Sequence, residues 1–183
     1  AAAVIWVVGT LIGTGLIGGS GVEEQGGGLF SDSTTLIAPH GPAFAIWSVI
    51  YGLLVAYVVW QWLPAGARSD WAARSRLPAA ASIALNGIWL LVVFSGWVTL
   101  SVVVIAAIAV SLGFVLERTA GLPDEGWAPK VFGAVTFGLY LGWICVATCA
   151  NVALWLVDLG VPTALAPSEI VTVVVLAVVV ALT

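Results

Sequence analysis

Trp47, Asn86, Trp89, Tyr140, Trp143 and Asn151 lie in stretches that are otherwise apolar and uncharged. An amide or an indole at mid-depth in such a stretch needs a partner: another helix, a trapped water or a ligand. At about 100° per residue, Phe44, Trp47 and Tyr51 share one helix face. Tyr140, Trp143, Ala147 and Asn151 form a second stripe, at offsets of 3, 7 and 11. Asn86 and Trp89 supply a third. Aromatic faces with a few amides and no ions suit a flat, apolar ligand: rings to stack on it, amides and phenols to orient it.

Other chemistry finds little support. No Asp, Glu, His or Lys occupies the core of any apolar stretch, so no general acid–base pair can be assembled there. No catalytic residue is expected. His40 is the lone histidine. It could serve as an axial ligand to a metallotetrapyrrole, but Pro39-His40-Gly41-Pro42 reads first as turn chemistry. Cys145 and Cys149 lie four apart in one apolar stretch, a spacing that reads as packing rather than a metal or disulfide framework.

These residues must be positioned by membrane helices. The chain of 183 residues is 62% hydrophobic and 8% charged, with mean hydropathy +1.17. Soluble domains carry about 25% charged residues. Six apolar segments are expected, at Ala1–Gly19 and at about 42–62, 78–97, 98–116, 131–157 and from 169 onward. Such runs are too long and too uniformly apolar for barrel strands, so the fold class is all-α, a polytopic transmembrane helix bundle. The absence of Met and the last segment stopping at Thr183 read as a chain continuing at both ends.

The basic residues are Arg68, Arg74, Arg76, Arg118 and Lys130, all in the connections 63–77 and 117–130. The positive-inside rule puts both on the cytoplasmic side, with the acidic 20–41 connection outside; the membrane expected is a bacterial cell membrane. That connection could be a lid over the outer mouth or an ordinary solvated loop. No basic patch exists to receive nucleic acid. The partners expected are membrane lipids and an apolar small molecule. Gly9/Gly13 and Gly15/Gly19 are small-xxx-small pairs, suited to packing within the bundle or to a homodimer face.

These motifs resemble those of the TspO/translocator protein family, also called tryptophan-rich sensory proteins. Pro39 through Tyr51 is similar to the family's second-helix variant T-P-A-G-x-x-F-x-I-W-x-x-I-Y, in Phe44, Ile46, Trp47, Ile50 and Tyr51. Asn86-Gly87-Ile88-Trp89 matches the third-helix N-x-x-W. Tyr140, Trp143, Ala147 and Asn151 match the fifth-helix pattern Y-x-x-W-x-x-x-A-x-x-x-N at every spacing. The match covers about residues 1–160. Three departures stand out: Leu36 replaces the opening Trp of that helix's W-x-P-P form, Ala38 its first Pro, and Leu139 the Pro before Tyr140. The sterol-associated Tyr and Arg after Asn151 are absent, so sterol binding is the property the match supports least.

The resemblance implies a five-helix core over 1–160, with 161–183 beginning a further helix. It implies a receptor or sensor that binds porphyrin, haem or a similar ligand and needs no resident cofactor. The ligand-binding set is then Phe44, Trp47, Tyr51, Asn86, Trp89, Tyr140, Trp143, Ala147 and Asn151. In some bacterial members the tryptophans aligned with Trp47 and Trp143 are implicated in photo-oxidative porphyrin breakdown. A third reading makes the chain an accessory or structural subunit of a larger membrane complex.

Overall fold

The computed structural model describes residues 45–160. The first and last apolar segments, both glycine pairs, the 20–41 connection, His40 and Phe44 lie outside those residues. The described chain is all-helical: α1 (Ala45–Trp62), the single turn α2 (Pro64–Ala67), α3 (Asp70–Phe94), α4 (Val98–Thr119), a π-helical stretch (Pro129–Val135) and α5 (Thr136–Asp158). Among the described residues, three helical spans are long and apolar enough to cross a membrane: Asp70–Phe94, Val98–Thr119 and Pro129–Asp158.

The polarity of the bundle is the reverse of a soluble one. Ser75, Ser82, Asn86, Ser101, Thr136 and Asn151 are buried, while Val49, Val59, Val103, Val110 and Phe114 face outward. Lipid tails are as apolar as Val, so only the interior can satisfy a hydroxyl or an amide. The outward-facing tryptophans sit at the helix ends. Trp62 and Trp127 are exposed at the end that carries the basic residues, and Trp97 at the other. This is where amphipathic rings meet the headgroup region.

The third segment starts earlier than its hydropathy suggests. Residues 63–77 are expected to form a loop because three arginines fall there. Instead Pro64–Ala67 form a helical turn and Asp70–Leu77 are the first turns of α3. Ser69 caps this helix, its hydroxyl accepting from the Ala72 amide at 3.2 Å, and Asp70 lies in the first turn, where the helix dipole favours an acid. Charged side chains can ride on helix turns that emerge from the apolar layer, so charge alone does not mark a loop.

α3 packs along α4, and α4 along α5, over much of their lengths, whereas α1 lies against α5 and the π-helical stretch. The α3–α4 turn is tight because Gly96 adopts φ of 71°, a left-handed conformation that suits glycine. Small buried residues on α3 (Ala72, Ser75, Ala79 and Ser82) let neighbouring helices come close. Between α1 and α3 the space is bridged by rings, and this produces two aromatic clusters at different depths.

Candidate ligand site

Trp47, near the start of α1, is the hub of the first cluster. Its ring stacks on Tyr51 with centroids 5.2 Å apart and on Trp89 of α3 at 6.3 Å. Two rings of α5 meet it edge-on, Tyr140 at 6.2 Å and Trp143 at 6.1 Å. The three stripes read from helical spacing therefore converge on one indole. Offset-stacked and edge-to-face pairs of this kind each contribute about 0.5–1.5 kcal/mol beyond the area they bury.

Asn86 supplies the polar element of this cluster. It is fully buried one turn before Trp89, and its Oδ1 accepts from the Tyr51 hydroxyl at 3.3 Å. The Tyr140 hydroxyl lies close enough to feel the same amide but closes no hydrogen bond of good geometry with it. Asn86 Nδ2 and Trp89 Nε1 are likewise buried without a hydrogen-bond acceptor among the described residues. Leaving a buried donor unmade costs about 1–3 kcal/mol, and such groups are few in a folded protein. The cluster thus combines π faces with donors that remain unused.

Not every residue of the expected set joins it. Ala147 is partly buried and packs against the core, one turn beyond Trp143 on α5. Asn151 lies elsewhere: its Oδ1 accepts from the Ser101 hydroxyl of α4 at 2.8 Å, tying α4 to α5. Close to it in sequence, the Trp155 indole N–H donates to Thr99 Oγ1 at 3.0 Å across the same helix pair. Interhelical hydrogen bonds of this kind are worth about 0.6 kcal/mol on average. No group of three metal-ligating side chains occurs among the described residues.

The second cluster lies toward the basic end and has no counterpart among the residues expected from sequence. Tyr57 contacts Phe137 at 4.8 Å, Trp71 at 6.1 Å and Trp60 at 6.2 Å, and Phe132 packs on Trp60 at 6.1 Å. The Tyr57 hydroxyl is satisfied by Ser75 at 2.9 Å. Half of this cluster was readable, because Tyr57 and Trp60 continue the stripe of Trp47, Ile50, Tyr51 and Leu54 along α1. The other half depends on the π-helical stretch. Residues five apart on an α-helix lie about 140° apart around its axis, yet Phe132 and Phe137 both reach the same cluster. The wider i→i+5 turn brings them round, and the Thr136 hydroxyl returns to the Val131 carbonyl at 3.0 Å. Gly133 is required in this stretch, since a Cβ there would lie 2.8 Å from the Trp71 ring.

Apolar outward faces, polar residues turned inward and rings at the helix ends define an integral membrane protein built as a helix bundle. The family model described as TSPO-like protein matches residues 1–183, and the chain belongs to that family. The match extends through the last apolar segment, beyond the 1–160 that the motifs cover. Family membership makes the protein a membrane sensor or receptor in general terms. Neither a curated protein nor a solved structure matches the chain.

Proposed function

We propose that the protein is a membrane receptor for a flat, apolar ligand of the tetrapyrrole class, porphyrin or haem, held among Trp47, Tyr51, Asn86, Trp89, Tyr140 and Trp143. The observation that carries this reading is the convergence of four rings on Trp47, beside a buried amide, Asn86, whose Nδ2 donor has no acceptor among the described residues. A tetrapyrrole offers a broad π face to the indoles and polar edges to the donors of Asn86, Trp89 and Tyr140. The site is read as one that binds rather than turns over its ligand, because its described residues include no acid–base pair.

Fluorescence quenching by protoporphyrin tests the reading. Wild-type protein in mild detergent should quench saturably. Trp47→Phe together with Trp143→Phe should weaken the apparent affinity at least about tenfold, roughly 1.4 kcal/mol. Unchanged quenching in the double variant would remove the support for this site. A second reading is favoured by the edge contact of Trp47 with Trp143 at 6.1 Å: two adjacent oxidisable indoles could act on a bound, illuminated porphyrin. Equal rates of porphyrin bleaching with and without protein would end it.

A further inference from the structure

We infer that the basic end of the bundle carries a site for one anionic phospholipid, in the groove between the last turns of α1 and the first half of α3. This groove is open and has a volume of about 640 Å³. Its walls are Val58, Ala80 and Ile83, and its rim carries Gln61, Trp62 and Arg76. It is separate from the ring cluster around Trp47 and shares no residue with it.

The rim provides charge in a fixed position. Arg76 donates through Nε to Gln61 Oε1 at 3.1 Å, which anchors the guanidinium across the groove from α3 to α1. The two Nη groups remain available, and a guanidinium edge matches two phosphate oxygens. Among the described residues Arg76 pairs with no carboxylate. Two acids of the connection between α4 and the π-helical stretch are engaged elsewhere: Asp124 holds Lys130 at 2.6 Å, and Glu125 accepts the Trp71 amide at 3.1 Å. Arg76 is the one charged residue that lines the groove, and the stretch 63–77 carries Arg68, Arg74 and Arg76 against Asp70 alone.

The depth of the groove selects a lipid over a soluble anion. Arg76 stands at the level of the exposed Trp62 ring, which marks the headgroup region. Ile83, two turns further along α3, extends the apolar wall into the layer where acyl chains lie. The groove therefore receives a phosphodiester at its rim and the upper part of one chain along Val58, Ala80 and Ile83. The Tyr57 hydroxyl at its base is already bonded to Ser75, so the base makes no demand for a polar ligand.

Native mass spectrometry of the purified protein tests this, with phosphatidylglycerol or phosphatidylcholine added to the detergent. One phosphatidylglycerol should be retained with a preference over phosphatidylcholine of about tenfold. Arg76→Gln should abolish the preference, and Ala80→Trp, which fills the wall without changing charge, should remove the bound lipid. Both positions are exposed, so melting temperatures in mixed micelles of detergent and phosphatidylcholine should stay at the wild-type value. Millimolar inorganic phosphate should leave the lipid in place. Wild-type lipid occupancy in either variant, equal retention of the two lipids, or displacement by phosphate would overturn the proposal.

Discussion

Two aromatic clusters are stacked along this bundle, and they treat their polar atoms differently. Around Tyr57 the phenol is bonded to Ser75, and among the described residues Trp60 Nε1 is the one buried side-chain donor of this cluster without a partner. Around Trp47 the rings of Trp47, Tyr51, Trp89 and Tyr140 are also buried, yet Asn86 Nδ2, Trp89 Nε1 and the Tyr140 hydroxyl have no hydrogen bond of good geometry among the described residues. A cluster whose only task is to hold helices together gains nothing from unused donors, since apolar groups of similar shape would pack as well. The lower cluster has the character of a helix clamp, and the upper one is the site proposed for the ligand.

The largest effect should come from the clamp. Phe137 is fully buried at the contact with Tyr57 and Trp71. Phe137→Ala should destabilise the protein by about 3–5 kcal/mol, the usual range for removing a buried aromatic, measured by thermal unfolding in detergent. Molecules that remain folded should still quench with protoporphyrin at near wild-type affinity. A loss of affinity without a loss of stability would reverse the roles assigned to the two clusters.

A smaller change in stability, with a clear change in binding, is expected at Asn86→Leu. The side chain keeps a similar volume while the amide is removed. Stability should change by no more than about 1 kcal/mol, because one unmet donor disappears along with one hydrogen bond to Tyr51. Ligand affinity should fall. If Asn86→Leu instead unfolds the protein as readily as Phe137→Ala, the amide belongs to the scaffold and the contrast between the clusters disappears.

The upper cluster was legible in the sequence because its information is local. Each stripe lies on one helix, and 3.6-residue periodicity alone aligns Trp47 with Tyr51, Asn86 with Trp89 and Tyr140 with Trp143. The lower cluster was only half legible, since Phe132 and Phe137 share a target through a π turn that no hydropathy pattern announces. Asn151 shows a different limit. Its spacing continues the α5 stripe, but its partner Ser101 lies 50 residues away, and nothing local indicates that α4 rather than the ring cluster receives it. The start of α3 was obscured because Arg68, Arg74 and Arg76 suggested a loop, although the Ser69 cap and Asp70 carry the signature of a helix start.

The smallest effect concerns the segment that closes over the clamp. Between α4 and the π-helical stretch, the Glu125 carboxylate takes the Trp71 amide, Trp127 packs on Phe132, and Asp124 holds both Lys130 and the Gly126 amide. The hydrogen bond from Lys130, followed by that from the Gly126 backbone, lowers the Asp124 carboxyl below its ordinary value of 3.8. A carboxylate with a depressed folded-state pKa contributes its anchoring above the unfolded value and loses it as pH falls through the folded one. Both partners are exposed, so solvent screening keeps the contribution to global stability small. The Gly126 amide proton should report it directly by NMR, with an inflection below 3.8 that Asp124→Asn abolishes. An inflection at or above that value would mean that Lys130 does not hold the carboxylate in solution. The ring cluster around Trp47 should not respond over the same range, because among the described residues no Asp, Glu, His or Lys lies among its rings. A pH-dependent change in protoporphyrin quenching that Asp124→Asn removes would couple this segment to the upper cluster and end the division between the two.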